Sequence, residues 1–386
     1  MTMFRITTDM IILGIESSCD DTSVALIEAS EKGFLILSEK TASQIDIHKK
    51  YGGVVPEIAG RKHAEAIVPL IEEVLALQHL NTTTHKHHKP DMIAVTAGPG
   101  LITGLLVGVE TAKTLSYLWN VPLVAVNHID GHIHSVEIPS SNFQSLIQFP
   151  ALCLVVSGGH TELLFSTEHN SYSLIGKTRD DAAGECFDKV AKLLGLEYPG
   201  GPKISQFAAE GNPNAIPFPR PMLNEKGDFS AKSGPTFGWS FAGLKTAALY
   251  WLRDHPLAAT KIHNLDRLPG ITGTLGIQPN DPTIHDFCAS FEQAIVDVLV
   301  GKTMRAVEQY EPKTVILAGG VAANKKLRNT LQEKLTIYNS TTFTTPTLQY
   351  CMDNAAMIAV AGYYKALKKQ FTSWQDITVD PNWKAY

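Results

Sequence analysis

A chain of 386 residues that is 44% hydrophobic and 18% charged suits a globular protein of two domains or one large one. Its net charge of −5 and pI near 6.3 exclude a globally basic nucleic-acid binder and leave room only for a local basic face. Glu110 and Lys113 interrupt the longest apolar stretch, Leu101 to Trp119, so no run approaches the ~20 residues of a membrane helix. Five scattered cysteines (Cys19, Cys153, Cys186, Cys288, Cys351) without a CxxC point to buried thiols in a reducing compartment. Met1 to Asp9 lacks the apolar core of a secretory signal; its one Arg and three Thr fit an organellar presequence remnant and, equally, an ordinary leader.

Met10 to Ile15 reads as a strand ending in a small polar turn, Glu16 to Asp21. Thr22 to Ile27 and Phe34 to Ser38 read as the next two strands. Val55 to Leu80 has helical spacing, and the polar Asn81 to Pro90 reads as a loop. Met92 to Ala97 is a buried-type strand whose turn, Gly98-Pro99-Gly100, opens a long apolar helix, Leu101 to Leu118. Leu123 to Val126 then delivers the chain to His128-Ile129-Asp130-Gly131-His132. If His128 opens a helix, the i, i+4 spacing puts both imidazoles on one face, about one turn apart. That suits a single metal ion and is equally common on ordinary polar surface.

After a linker-like stretch, Phe143 to Pro150, the pattern begins again. Ala151 to Val156 is a strand, Ser157 to His160 a tight turn, Thr161 to Ser166 a returning strand and Tyr172 to Ile175 a third. Ala182 to Leu194 is an amphipathic helix with Phe187, Val190, Leu193 and Leu194 inward. Irregular stretches, Lys203 to Trp239 and Asp254 to Pro282, flank a helix over Ser240 to Leu252, and another runs from His285 to Gln309. Thr314 to Leu317 is a strand, and Ala318 to Asn324 turns into a helix through Leu335. Asp353 to Leu367 reads as a final helix with Asp353 at its N-cap. Each half thus carries strand–polar turn–strand, then strand–glycine turn–helix, without residue identity between the halves. Four glycine- or serine-rich turns in paired order favour phosphate binding between two lobes, each a mixed sheet flanked by helices.

Nine segments, in order from Ile11 to the final helix, resemble the tRNA N6-threonylcarbamoyladenosine transferases, long labelled O-sialoglycoprotein endopeptidases. They are Gly14 to Ser23, Val55 to His63, Gly98 to Leu101, Val126 to His132, Val155 to Thr161, Asp181 to Lys189, Tyr198 to Pro202, Phe241 to Thr246 and Gly319 to Asn324. The resemblance implies an α/β protein of duplicated actin-like ATPase (ribonuclease H-like) fold, two lobes with a nucleotide and metal cleft between them. Residues 10–149 would form the N-terminal lobe, completed by the C-terminal helix and tail, 353–386. Residues 150–352 would form the second lobe, with 254–282 inserted. The implied reaction moves threonylcarbamoyl from threonylcarbamoyl-AMP to the N6 amine of the adenosine 3′ of the anticodon, in tRNAs reading codons that begin with A, releasing AMP.

Carried over residue by residue, His128, His132 and Asp353 are ligands of one divalent ion per subunit, with two imidazoles and a carboxylate suiting Fe2+ or Zn2+. Val155, Val156, Ser157, Gly158 and Gly159 become the phosphate and sugar turn, Asp188 a ribose acceptor, Gly201 a point of close nucleoside approach, and Asn324 a neighbour of adenine or phosphate. Asp21, in the turn where actin-like folds place an acid near phosphates, is a catalytic candidate set against plain turn chemistry. Candidate tRNA contacts are Lys49, Lys50, Arg61, Lys62 and the loop Lys86 to Lys89. The expected partners are tRNA, a threonylcarbamoyl-AMP synthase and a second copy of the chain, with no membrane. The expected location is the mitochondrial matrix, the alternative a bacterial-type cytoplasm.

The chain departs from the family pattern at Ala242, where a second Ser is common, and at Asp20-Asp21, more often Asp-Glu. Its extra length falls in the loops Gln78 to Lys89 and Asp254 to Pro282, and His85-Lys86-His87-His88 reads as a solvated loop. A metalloprotease of the His-Glu-x-x-His type is excluded because Ile129 stands where the general-base Glu belongs. An actin-fold ATPase or kinase leaves the histidine pair unexplained, and a nucleotide-binding scaffold would survive loss of His128.

Overall fold

The computed structural model describes residues 9–81, 89–138, 147–223, 237–255 and 282–386. The leader, the His85 to His88 cluster and most of the loops around 78–89 and 254–282 lie outside them. The chain divides into two compact units: Met1–Ala151 with Ser166–Tyr172 and Thr344–Tyr386, and Leu152–Phe165 with Ser173–Phe343.

In the first unit, β1 (Met10–Glu16), β2 (Asp21–Ser30) and β3 (Gly33–Ser43) run as an antiparallel meander. A short helix α1 (Ile45–His48) and the long α2 (Pro56–Asn81) follow. Then come β4 (Met92–Gly98), α3 (Ile102–Trp119), β5 (Leu123–Asn127) and α4 (His128–His134). β4 pairs parallel to β1, and β5 parallel to β4, giving the order β3-β2-β1-β4-β5. β4 is buried at every position, as a strand covered on both faces must be.

The second unit holds β6 (Ala151–Val156), β7 (Thr161–Glu168) and β8 (Ser171–Lys177), apart from Ala151 and the β7–β8 hairpin tip, Ser166–Tyr172, which belong to the first. Helices α5 (Ala183–Leu193), α6 (Gly200–Ala208), α7 (Ala242–Asp254) and α8 (Pro282–Tyr310) follow. β9 (Thr314–Ala318), α9 (Lys325–Leu335) and β10 (Thr342–Thr344) come next. Its sheet order, β10-β9-β6-β7-β8, is the order of the first sheet read from the other edge: third, second, first, fourth and fifth strand of each set. The duplication is therefore one of topology. In the amphipathic α5, Phe187 and Val190 are buried as expected, whereas Leu193 is only half-buried.

The last helix, α10 (Ala355–Leu367), returns to the first sheet. It packs on one face, with Ile12, Ile27, Ala94 and Val126, while α2 and α3 cover the other through Ile67, Val74 and Val109. Full burial of Met357, Ile358 and Val360 is worth roughly 1.5–3 kcal/mol each, enough to fix the helix in place. Its N-cap is Asn354 and not Asp353: Asn354 Oδ1 accepts from Met357 N–H at 2.9 Å. An Asn in the extended conformation one residue later does the capping, so the Asp353 carboxylate is not spent on it.

Candidate metal centre

β5 ends at Asn127, whose side chain caps α4 by accepting from Ile129 N–H at 2.9 Å, so His128 does open a helix. One turn on, the His128 and His132 rings lie 4.6 Å apart between centroids. Gly131, between them, lets α4 settle on α10, since a Cβ there would stand 2.6 Å from Ile358 Cδ1. Gly14 does the same for β1, where a Cβ would stand 2.2 Å from the Ala355 carbonyl oxygen. These two close approaches bring Asp353 over the histidines. Asp353 Oδ1 is 3.5 Å from His128 Nε2 and 3.3 Å from His132 Nε2, and one ligand atom from each of the three lies within 4.8 Å of the others.

His128 is oriented from behind. Its Nδ1 is 2.9 Å from Glu16 Oε2 and 3.1 Å from Ser18 Oγ. Glu16 is itself held: Oε2 accepts from Thr96 Oγ1 at 2.7 Å and Oε1 from Ser18 N–H at 2.5 Å. With Nδ1–H donated to Glu16, Nε2 is the nitrogen turned toward Asp353 and carries a proton until an ion displaces it, the carboxylate–histidine arrangement that orients metal ligands. Burial opposes charge on His128, but Glu16 and Asp353 outweigh it and hold its pKa up at about 9. Burial raises Glu16, but the His128 charge and hydrogen bond bring it below the ordinary carboxylate value.

His132 tests whether these residues fit a cation. Its side chain is 1% exposed, and neither ring nitrogen has a hydrogen-bond partner, the 3.3 Å approach to Asp353 lacking the geometry of one. An unmet buried polar atom costs about 1–3 kcal/mol, a penalty that coordination removes. Burial, then the neighbouring His128, lowers its pKa, which keeps the ring in the neutral form that metals bind. Negative charge also accumulates here. Burial raises Asp20, and burial raises Asp21 to about 7, with the Asp353 carboxylate pushing both further up. Asp21 Oδ1 is buried without a hydrogen-bond partner. Two imidazoles and a carboxylate amid further acids have the donor set and charge for one divalent transition ion.

In the second unit, Val155 and Val156 are the last residues of β6 with side chains fully buried, so only Ser157, Gly158 and Gly159 form the turn. Ser157 closes it, donating its N–H to the His160 carbonyl at 2.8 Å and accepting from His160 N–H on Oγ at 3.1 Å. A Cβ on Gly158 or Gly159 would meet nothing within 4 Å, so packing does not demand glycine there. Gly201 is likewise uncrowded. Asp188 Oδ1 accepts from Gly200 N–H at 2.7 Å. Asn324 caps α9 through Oδ1 (Leu327 N–H, 2.8 Å), and its Nδ2 donates to Glu292 at 2.7 Å and Ser205 at 3.0 Å. Both residues thus have structural work of their own.

Of the basic candidates, Lys49 pairs with Asp46 at 3.2 Å and Lys62 with Glu65 at 2.6 Å, while Lys50 and Arg61 are exposed. Glu16, Ser18 and Thr96 are the site residues that sequence reading passed over. An acid closing an apolar strand was the available signal for Glu16.

The folded chain is thus a duplicated α/β protein of the actin-like plan with a two-histidine, one-carboxylate cluster. Full-length HypF, crystallised in a phosphate- and nucleotide-bound form, shares the fold at a TM-score of 0.53 and 12% identity, over 96% of this chain and 48% of that one. Residues 35–360 match the family profile TsaD, tRNA N6-adenosine threonylcarbamoyltransferase. Curated proteins of that name are similar along nearly the whole chain. The one from Bacillus subtilis is 45% identical, over 92% of this chain and 90% of its own. The one from Anaeromyxobacter dehalogenans strain 2CP-1 is 41% identical, over 97% and 99%. The one from Listeria monocytogenes serotype 4b is 44% identical, over 96% and 95%. The chain belongs to the family of tRNA N6-adenosine threonylcarbamoyltransferases, which are transferases that modify tRNA. No helix among the described residues is long and apolar enough to cross a membrane.

Proposed function

We propose that this chain transfers the threonylcarbamoyl group of threonylcarbamoyl-AMP to the N6 amine of the adenosine 3′ of the anticodon, in tRNAs reading codons that begin with A, with release of AMP. The observation that carries the reading is His132, buried with both nitrogens unmet beside His128 and Asp353 in a chain of this family. His128, His132 and Asp353 hold one divalent ion, Fe2+ or Zn2+ by donor type. Bound there, the ion acts as a Lewis acid toward a phosphate or carbonyl oxygen.

The chain's own residues do the rest. Glu16 keeps the proton on His128 Nδ1, so that Nε2 remains a ligand. Asp21, with a pKa near 7, can take a proton at working pH and is the proposed acceptor for the one that the N6 amine loses. Gly158, Gly159 and Gly201 offer backbone that a nucleotide can approach, because glycine stands there without being required by packing, and Ser157 sets the turn that presents the first two. Val155 and Val156 contribute through backbone only, and Asp188 and Asn324 are the proposed ribose and base neighbours. Lys50 and Arg61, together with Lys49, Lys62 and Lys86 to Lys89, are the proposed tRNA-facing cations.

The decisive assay supplies purified protein with unmodified tRNA, threonine, bicarbonate, ATP and a threonylcarbamoyl-AMP synthase. The modified nucleoside is sought by mass spectrometry after digestion. Its absence with metal present would refute the transferase acting without further subunits. The proposed assembly is a homodimer, and a clean monomer by gel filtration would remove it. The proposed location is the mitochondrial matrix. The bacterial relatives favour the alternative, a bacterial-type cytoplasm, and an import assay separates the two.

A further inference from the structure

We propose that His134, Glu137 and His169 form a second site for a divalent transition-metal ion, distinct from the cluster at His128. Among the described residues, these two groups are the ones whose candidate ligand atoms gather within 4.8 Å. His134 ends α4, Glu137 ends the 3-10 turn that follows, and His169 sits at the tip of the β7–β8 hairpin.

The hydrogen bonds set the orientation of each group. Asn170 Nδ2 donates to the Ala361 carbonyl at 3.3 Å, which turns its Oδ1 toward His134 Nε2 at 2.6 Å. His134 therefore carries a proton on Nε2 and aims Nδ1 at Glu137 Oε2, 2.9 Å away. Glu137 Oε1 accepts from Tyr364 Oη at 3.0 Å, which points Oε2 into the cluster. A neutral His134 would then set a lone pair against a carboxylate oxygen, so a cation must lie between them. It is a proton or a metal ion.

His169 distinguishes the two. Its Nδ1 lies 4.0 Å from the same Glu137 Oε2, is buried, and has no hydrogen-bond partner. A proton shared by His134 and Glu137 leaves that nitrogen unmet, whereas a metal ion satisfies all three groups. Ligand atoms around a tetrahedral zinc with bonds of ~2.1 Å stand about 3.4 Å apart. The 2.9 and 4.0 Å separations bracket that value. The outer partners are those of built metal sites: an amide oxygen behind one imidazole and a phenol behind the carboxylate.

Ring packing holds the set in place. Tyr364 stacks on His169 at 3.7 Å and on His134 at 4.8 Å, and Phe149 closes edge-on against His169 at 4.8 Å. His134 and Glu137 are 1% exposed, but His169 is 22% exposed, which leaves a way in for an ion.

The test is zinc stoichiometry on the full chain, stripped with a chelator, dialysed against dilute Zn2+ and counted by mass spectrometry. Wild type should hold two equivalents, H132A one, and H169F one. Phe at 169 keeps the stack on Tyr364 and deletes the nitrogen. E137Q, which keeps an acceptor for Tyr364, is the second variant, should H169F fail to fold. In H132A loaded with Co2+, visible ligand-field absorption should remain, and H132A/H169F should lose it. If H132A binds no metal, or wild type and H169F bind the same amount, the second site does not exist and the cluster is a stacked, proton-sharing pair. One equivalent in wild type that H169F loses and H132A keeps would support this site and count against the metal centre at His128.

Discussion

His132 and His134 stand two residues apart on α4, yet their clusters meet charge in different ways. Around His132 there is an excess of acid: Asp353 approaches both rings, and Glu16, Asp20 and Asp21 crowd the same neighbourhood. Around His134, Glu137 is clamped by a tyrosine, Asp130 adds the field of a further carboxylate, and His169 Nδ1 is buried without a hydrogen-bond partner. On the proposed reading, an ion at the first cluster would relieve repulsion among acids, and one at the second would complete coordination. Adjacent turns of a helix can thus favour an ion for different physical reasons, and the reasons can be probed separately.

The largest expected effect is at the first cluster. H132A should lower transfer to tRNA by at least about a hundredfold in the nucleoside assay, as loss of a direct metal ligand exceeds the 10–100-fold typical of outer partners. Normal activity in metal-saturated H132A would break the comparison at its root. Next come the two orienting residues, taken as a pair. E16Q should weaken zinc at the first cluster by about 10–100-fold in chelator competition and leave the second untouched, and Y364F should do the reverse. If either variant weakened both, α4 would be acting as one site.

N354A removes the cap of α10 and should cost about 1 kcal/mol in denaturant unfolding, with a parallel loss of metal at the first cluster only. The smallest effect is a pH slope. Asp21 is raised from 3.8 to about 7, so between those values the native chain holds a proton that the unfolded chain releases. Its contribution to stability is therefore present at low pH and lost as pH rises toward 7. D21N should flatten that slope in metal-free protein, and saturating metal should flatten it in wild type by neutralising Asp353. Equal slopes in wild type and D21N would remove the acid crowding from the argument.

Much of the fold was legible because apolar runs and glycine turns recur at strand and helix spacing, so all five strands of the first sheet and four of the second could be read in order; the three-residue β10 is too short and polar to show. His128 and His132 were legible from i, i+4 spacing and family resemblance. The cap was misassigned by one residue, because Asp353 and Asn354 are equally good caps in sequence and only the backbone of α10 chooses. Glu16 was hidden as one more polar turn residue, its role depending on a histidine more than a hundred positions away. Hydrophobicity alone placed Val155 and Val156 at the end of a strand, as the structure has them, and only the family motif carried them into the turn. His134, Glu137 and His169 show no spacing rule at all. They meet because a hairpin tip reaches the end of α4, a tertiary fact.

The close seat that Gly131 offers α10 has a consequence for how the protein is made. During synthesis His128 and His132 emerge long before Asp353, and the three cannot meet until the last helix docks on the first sheet. Until then the histidine pair is an incomplete chelate that holds an ion weakly. Metal capture at the proposed centre would therefore be a late event, and a firmly held ion would mark a chain whose distant segments have joined.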